Sequence, residues 1–305
     1  MSGEASSSRP LVVAVLGPTC VGKSETALRL AEACVGEIVV ADSRQVYREL
    51  DIATNKPPPA DLARGFYHCV GIADPRAPFN VHDFVIAARR AVDGIFERGR
   101  LPIVEGGTGL YVDALLDGLT LAGVPPDRAR REELAAQSVD DLAAHVRRLD
   151  PDAGVDLRNP VRLIRAIEIL ESLGPPLASA RRRHPPPWRQ LRIGLRMAPQ
   201  RLAARIRARC EDQLARGLID ETNRALASGV PRTSQVLTGT GYVEAVAFID
   251  GRVGAGELVE VMARNNLRLA RRQLTWLRRD PRIRWFEADD DPVPGILGLV
   301  MEELA

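Results

Sequence analysis

Lysine is almost missing from this chain: of its 42 basic side chains, 40 are arginine, and the two exceptions are Lys23 and Lys56. Plain positive charge is delegated to arginine. A retained lysine therefore draws attention, because a compact ammonium differs chemically from a planar guanidinium fork. Cysteine is sparse as well. Cys20, Cys34, Cys69 and Cys210 form no CxxC pair, and His68, His82, His145 and His184 do not gather around them. That spacing suggests neither a zinc site nor a disulfide framework. His68 adjoins Cys69, but sequence neighbours rarely form a nucleophile–base dyad in space. No apolar run approaches the length needed to cross a bilayer. Nothing after MSGEASSSRP resembles a secretion signal, so residues 1–10 read as a disordered tail and the cytoplasm as the default compartment.

What is present begins with alternation. LVVAVL (11–16), EIVVAD (37–42) and LPIVEGG (101–107) are short apolar runs, and amphipathic helical patterns cover 23–34 and 82–97. Continuous apolar strands separated by helices predict a parallel sheet covered on both faces. From residue 118 the composition shifts. Short helical patterns are broken by AGVPPD, DPDAG, LGPP and HPPPW, with no clear strand before RQLRIGLRM (189–197). The expectation is an α/β chain in which a core (11–117 and 191–305), P-loop NTPase-like in that GPTCVGKS (17–24) joins its first strand to its first helix, is interrupted by a small helical insertion domain (118–190).

Three loops carry chemistry. Gly17, Pro18, Thr19, Cys20, Val21, Gly22, Lys23 and Ser24 complete the GxxxxGK[ST] pattern between a strand and a helix. Glycines let the backbone wrap closely, and successive N–H groups face an anion. Lys23 would neutralise phosphate oxygens and the Ser24 hydroxyl would ligate Mg²⁺. Asp42 ends the second strand, where ligands of open α/β sheets lie. It reads either as a general base or water-mediated magnesium partner, or as a cap for the next turn. GGTGLY (106–111) leaves the third strand, and Thr108 offers a short hydroxyl toward the same crevice. Charge is uneven behind a net +2. Residues 181–209 hold ten arginines and no acid, while 264–284 hold eight against Asp280 alone. Arg264, Arg268, Arg271, Arg272 and Arg279 share one helix face, opposite Leu267, Ala270, Leu274 and Leu277. The pair of stretches suggests attraction of nucleic-acid phosphates.

In their order, GPTCVGKS, ADSRQVY with DIATNKP, GGTGLY, NPVRLIRAIEIL, TGTGYVEA and ARRQLTWLRR resemble the tRNA dimethylallyltransferases, over about residues 11 to 286. The resemblance implies transfer of a dimethylallyl group from dimethylallyl diphosphate to the amine of the adenine beside the anticodon of tRNA, in a monomer that uses Mg²⁺. It implies that Thr19 to Ser24 cradle the diphosphate, with Arg205 or Arg209 also touching it, and that Asp42 is the base. Ser43, Arg44 and Gln45 would lie against the flipped-out nucleotide and Thr108 near the reacting atoms. Val161, Arg162, Leu163, Ile164 and Arg165, with Arg131 as a weaker match, would contact tRNA. Three positions depart from the pattern: Cys20 for a smaller residue, Ala53 for glycine, and Asn266-Leu267 for Thr-Arg. Two other activities share these loops: prenylation of a free adenine nucleotide, and phosphoryl transfer from ATP. A nucleotide-gated RNA-binding protein without prenyl chemistry is a further reading.

Overall fold

In the computed structural model, residues 9–120, 124, 127–180 and 182–305 are described. Most of the expected tail, part of the AGVPPD hinge and Arg181 lie outside them. The chain divides into two units, Leu116–Pro186 and the remainder. The first of these begins two residues earlier and ends four earlier than the 118–190 expected.

The larger unit is built on strands β1 (Leu11–Leu16), β2 (Gly36–Ala41), β3 (Tyr67–His68) and β4 (Leu101–Gly106) and helices α1 (Lys23–Ala33), α2 (Pro59–Ala63), α3 (Val81–Glu97) and α4 (Gly109–Leu116). Every residue of β1, β2 and β4 is buried. Strands with no solvated face fit a parallel sheet between helical layers. α3 begins in a capping box, with Asn80 accepting from the His82 and Asp83 amides while Asp83 accepts in return from the Asn80 N–H. Its apolar stripe, Phe84, Ala88, Val92 and Ile95, is buried.

The smaller unit contributes a two-stranded antiparallel ribbon, β5 (Leu119–Thr120) with β6 (Arg182–Arg183), and helices α5 (Arg128–Ala135), α6 (Val139–Leu149) and α7 (Pro160–Leu173). Asp127, Ser138 and Asn159 cap these helices. Leu134, Leu142, Val146, Leu163, Ile167 and Leu170 form its core. The ribbon is not evident in the sequence, since two residues per strand are too few to show a period.

The chain then returns through β7 (Arg189–Arg196), α8 (Pro199–Ala215), α9 (Leu218–Ala227), α10 (Tyr242–Ile249), α11 (Ala255–Leu277), β8 (Arg284–Glu287) and α12 (Val293–Leu304). The sheet order is β3-β2-β4-β1-β7-β8, parallel throughout. Leu16, Gly106 and Ala41 pair side by side across β1, β4 and β2. The three chemical loops therefore leave neighbouring strands at one level. No helix among the described residues is long and apolar enough to cross a membrane.

Candidate active site

The three loops open on a cavity of about 530 Å³. The diphosphate-loop candidates Thr19, Cys20, Gly22, Lys23 and Ser24 line it, together with Asp42, Arg44, Gln45, Arg205 and Arg209. Gly17, Pro18 and Val21 lie behind the lining and shape it. A Cβ on Gly17 would stand 2.8 Å from the Val21 side chain and 3.0 Å from the Leu195 carbonyl, so only glycine fits that approach. Gly22 has φ 105°, in the left-handed region, and turns the chain into α1 with no side-chain cap on its first amides. Those donors are available to an anion. Lys23 Nζ donates to Pro18 O at 2.8 Å, and Arg209 Nη2 donates to Thr19 Oγ1. Burial pushes the Lys23 ammonium below its ordinary pKa, with Glu105 and Asp42 pulling it back up.

Asp42 caps the turn that follows it and also lines the cavity. Its Oδ1 accepts from the Arg44 amide at 2.8 Å and the Gln45 amide at 3.4 Å, capping the turn. Its other carboxylate oxygen has no hydrogen-bond partner among the described residues, and the residue faces the cavity. Thr108 stands one step back. Its Oγ1 accepts from the Ser43 amide at 3.1 Å and faces the Ser43 hydroxyl at 3.5 Å, so it braces the segment after Asp42. Two buried atoms of this segment, Arg44 Nη1 and Gln45 Oε1, have no partner among the described residues, which fits residues arranged around a ligand.

Two further residues of this site escape a reading of the sequence. Glu105 is the penultimate residue of β4, 4% exposed, and accepts from Ser24 Oγ at 3.1 Å. Burial pushes its carboxyl above the ordinary range, opposed by Lys23 and reinforced by Asp42. An acid inside an otherwise apolar strand is the signal that could have found it. Gln273 on α11 accepts from the Thr19 amide at 2.8 Å and donates to Gly107 O at 3.0 Å, tying two chemical loops together. Nearby, a Cβ on Gly109 would fall 2.6 Å from the Trp276 ring. The glycines of GGTG thus admit the close approach of α11.

The departures at Ala53 and Asn266 are accommodated. The Ala53 methyl sits against Gly241, where a Cβ would be 2.6 Å away. Its loop is held by Gln213, which donates to Ile52 O and Ala53 O, and by Glu221, which accepts from the Asp51 and Ile52 amides. Asn266 is buried, lines the cavity and donates to Met262 O. Arg205 and Arg209, from α8, supply guanidinium groups to that cavity.

The arginine stretches separate. In the first, Arg183, Arg189, Arg192, Arg196, Arg201 and Arg207 each pair with an acid from elsewhere in the chain. The expectation that this stretch attracts external anions is corrected: of its described side chains, Arg205 and Arg209 are left without acidic partners. In the second, Arg264, Arg268, Arg271, Arg272, Arg278 and Arg279 are exposed and carry no acidic partner among the described residues. In the smaller unit, Arg131 and Arg165 both pair with the buried Glu168, and Arg165 also donates to Val124 O. Val161 is 75% exposed, Arg162 is exposed, and Ile164 packs partly against the core. Leu163 corrects an expectation: it is fully buried in that core, so its side chain positions the helix and offers no surface to a partner.

The family described as IPP transferase matches residues 45–280, and that described as Isopentenyl transferase matches residues 10–67. A tRNA dimethylallyltransferase of Thermomicrobium roseum is 41% identical over 293 residues, covering 92% of this chain and 87% of its own. One of Geobacter sulfurreducens is 39% identical over 295 residues, covering 94% of each. The full-length tRNA isopentenylpyrophosphate transferase of Bacillus halodurans superposes with a TM-score of 0.73 at 35% identity, covering 97% of both chains. The chain belongs to the IPP transferase family.

Proposed function

We propose that this enzyme transfers the dimethylallyl group of dimethylallyl diphosphate to the exocyclic N6 amine of the adenine beside the tRNA anticodon. The observation that carries the reading is the convergence of Lys23, Ser24 and Asp42 on one cavity that also receives Arg205 and Arg209. In the reaction the allylic C–O bond breaks, a C–N bond forms, and diphosphate and one proton leave. The α1 amides and Lys23 bind the diphosphate oxygens and stabilise the charge that develops on them. Arg209, fixed on Thr19, adds a cation to the same group. The free carboxylate oxygen of Asp42 accepts the N6 proton as the bond forms. Thr108 holds Ser43, and through it the backbone that presents Asp42. The adenine leaves its stack to enter, and the buried Gln45 Oε1 and Arg44 Nη1 offer it an acceptor and a donor.

The Ser24 hydroxyl donates its hydrogen bond to Glu105 Oε1, which leaves its oxygen lone pairs for a hard cation, and this donor chemistry fits Mg²⁺. When bound, the ion reduces the charge on the departing diphosphate. The six unpaired arginines at α11 and the residues after it favour a tRNA over a free nucleotide, which has no use for so extended a basic surface.

The test incubates purified protein with Mg²⁺, dimethylallyl diphosphate and unmodified tRNA bearing adenine next to the anticodon, then analyses the nucleosides by mass spectrometry. N6-dimethylallyladenosine is the expected product. Prenylation of AMP, ADP or ATP with none of tRNA would replace this reading by the free-nucleotide one. Consumption of the ATP γ-phosphate without a prenyl adduct would replace it by a kinase.

A further inference from the structure

We propose that Glu105 supplies the protein carboxylate that holds the divalent cation at Ser24, an assignment that rests on the magnesium-assisted reading above. Glu105 lies in register with Val15 of β1 and Val40 of β2, between the strand ends that lead into the phosphate loop and Asp42. It is the one charged side chain of β4, in a strand buried along its whole length. Burying a carboxylate there is costly unless a cation answers it.

The charges around it point the same way. Asp42, a second carboxylate, lines the same cavity and acts on Glu105. The incoming diphosphate brings further negative charge to the same place. Lys23 is the nearest cation, but its ammonium hydrogen-bonds the Pro18 carbonyl. Lys23, with Arg205 and Arg209 also at the cavity, still leaves the negative charge of two carboxylates and a diphosphate in excess. A divalent cation between Glu105 and the diphosphate turns the repulsion into attraction.

The geometry supports the same ion. Ser24 Oγ donates to Glu105 Oε1 at 3.1 Å. The hydroxyl proton is thereby directed to the carboxylate and the lone pairs elsewhere, as outer-shell carboxylates orient metal-ligating groups. Phosphate-loop enzymes hold magnesium with a serine or threonine of the loop and an acid from a neighbouring strand. No cluster of three or more metal-binding side chains occurs among the described residues. That leaves most positions to diphosphate oxygens and water, as magnesium prefers. The cavity is built around a ligand on independent grounds, since Gln45 Oε1 is buried within it and unpartnered.

Calorimetric titration of the full chain with inorganic diphosphate, with and without Mn²⁺ or Mg²⁺, tests the assignment. In the native protein the metal should tighten diphosphate binding. Glu105→Gln should bind metal-free diphosphate more tightly than the native protein, because a repulsive charge is gone. Its enhancement by metal should fall by about tenfold or more. Glu105→Asp, which keeps the charge, should retain most of the enhancement; if the glutamine variant does not fold, Glu105→Val, matched to its neighbours Val15 and Val40, takes its place with the same expected loss. Equal enhancement in the native and Glu105→Gln proteins would overturn the role of Glu105 while leaving the metal reading intact. No enhancement in the native protein would overturn the metal reading and this inference together.

Discussion

Replacing Gln273 by alanine removes both ends of the link between the phosphate loop and the threonine loop. The Thr19 amide loses its acceptor at 2.8 Å, and Gly107 O loses its donor at 3.0 Å. At about 1 kcal/mol of net stabilisation per hydrogen bond, the pair accounts for about 2 kcal/mol. Both bonds are only partly buried, so water replaces some of that. A melting temperature lower by about 4 to 8 °C is the upper expectation from the usual size scaling. The rate should suffer more than the stability. Gln273 fixes the loop that holds diphosphate relative to the one that braces Asp42 through Ser43, and misplacing a reacting group by about 1 Å costs on the order of a hundredfold. Single-turnover prenyl transfer, with both substrates saturating, should slow by about tenfold to a hundredfold. Gln273→Glu separates the two halves: it keeps an acceptor for Thr19 but sets a carboxylate oxygen against the Gly107 carbonyl. A Gln273→Ala protein that melts lower yet transfers at the native rate would refute the reasoning, leaving Gln273 as a packing residue.

Lys23→Ala should abolish turnover yet leave tRNA affinity within a few-fold of native in a filter-binding assay; equal loss of both would mean the phosphate loop is misassigned. Replacing Arg264, Arg268, Arg271 and Arg272 together by glutamine should raise the KM for tRNA and leave that for dimethylallyl diphosphate unchanged. The slope of log affinity against log salt should also flatten by about one unit for each tRNA phosphate that the variant no longer neutralises, and an unchanged slope would count against the basic helix face. Burial pushes the Glu37 carboxyl up, but Arg98 and His68 outweigh it and hold the group below its usual value of 4.5. A value depressed in the folded state gives stability that is complete above the unfolded value and lost as pH falls through the folded one. The melting-temperature gap between the native protein and Glu37→Gln should therefore narrow as pH falls below 4.5, and a constant gap would remove this assignment.

Much of the core was legible because its signals are local. The apolar runs at 11–16 and 101–104 are short, continuous and closely followed by glycine, which separates buried strands from helices. The helix over Val81–Glu97 carries a 3.6-residue stripe with a capping box at its start. GPTCVGKS combines a motif with the strand-to-helix context that the motif requires. Asp42 and Thr108 are legible as candidates for the same reason: each sits just past the end of an evident strand, and in a parallel sheet such ends lie together.

The rest depended on what comes near in space. Glu105 stood in plain view within LPIVEGG, but only the register with β1 brings it under Ser24. Gln273 lies between arginines in ARRQLTWLRR, a setting that suggests a solvated face. Its bond to Thr19 spans 254 positions of sequence. The ten arginines of 181–209 illustrate the converse. Counted along the chain they have no acid among them, yet Asp117, Glu303, Asp280, Glu287, Asp289 and Glu260 reach them through the fold. Arg192, within that run, ends 3% exposed beside Asp280. Charge density in sequence thus overstated one surface and described the other correctly. The difference is physical: α11 places its arginines on one exposed helix face where no acid approaches among the described residues, whereas β7 sends its arginines toward Asp280 after α11, Glu287 of β8 and Glu303 of α12. A basic run therefore indicates an anion surface only when its charges fall on one solvated face that no acid approaches, as those of α11 do.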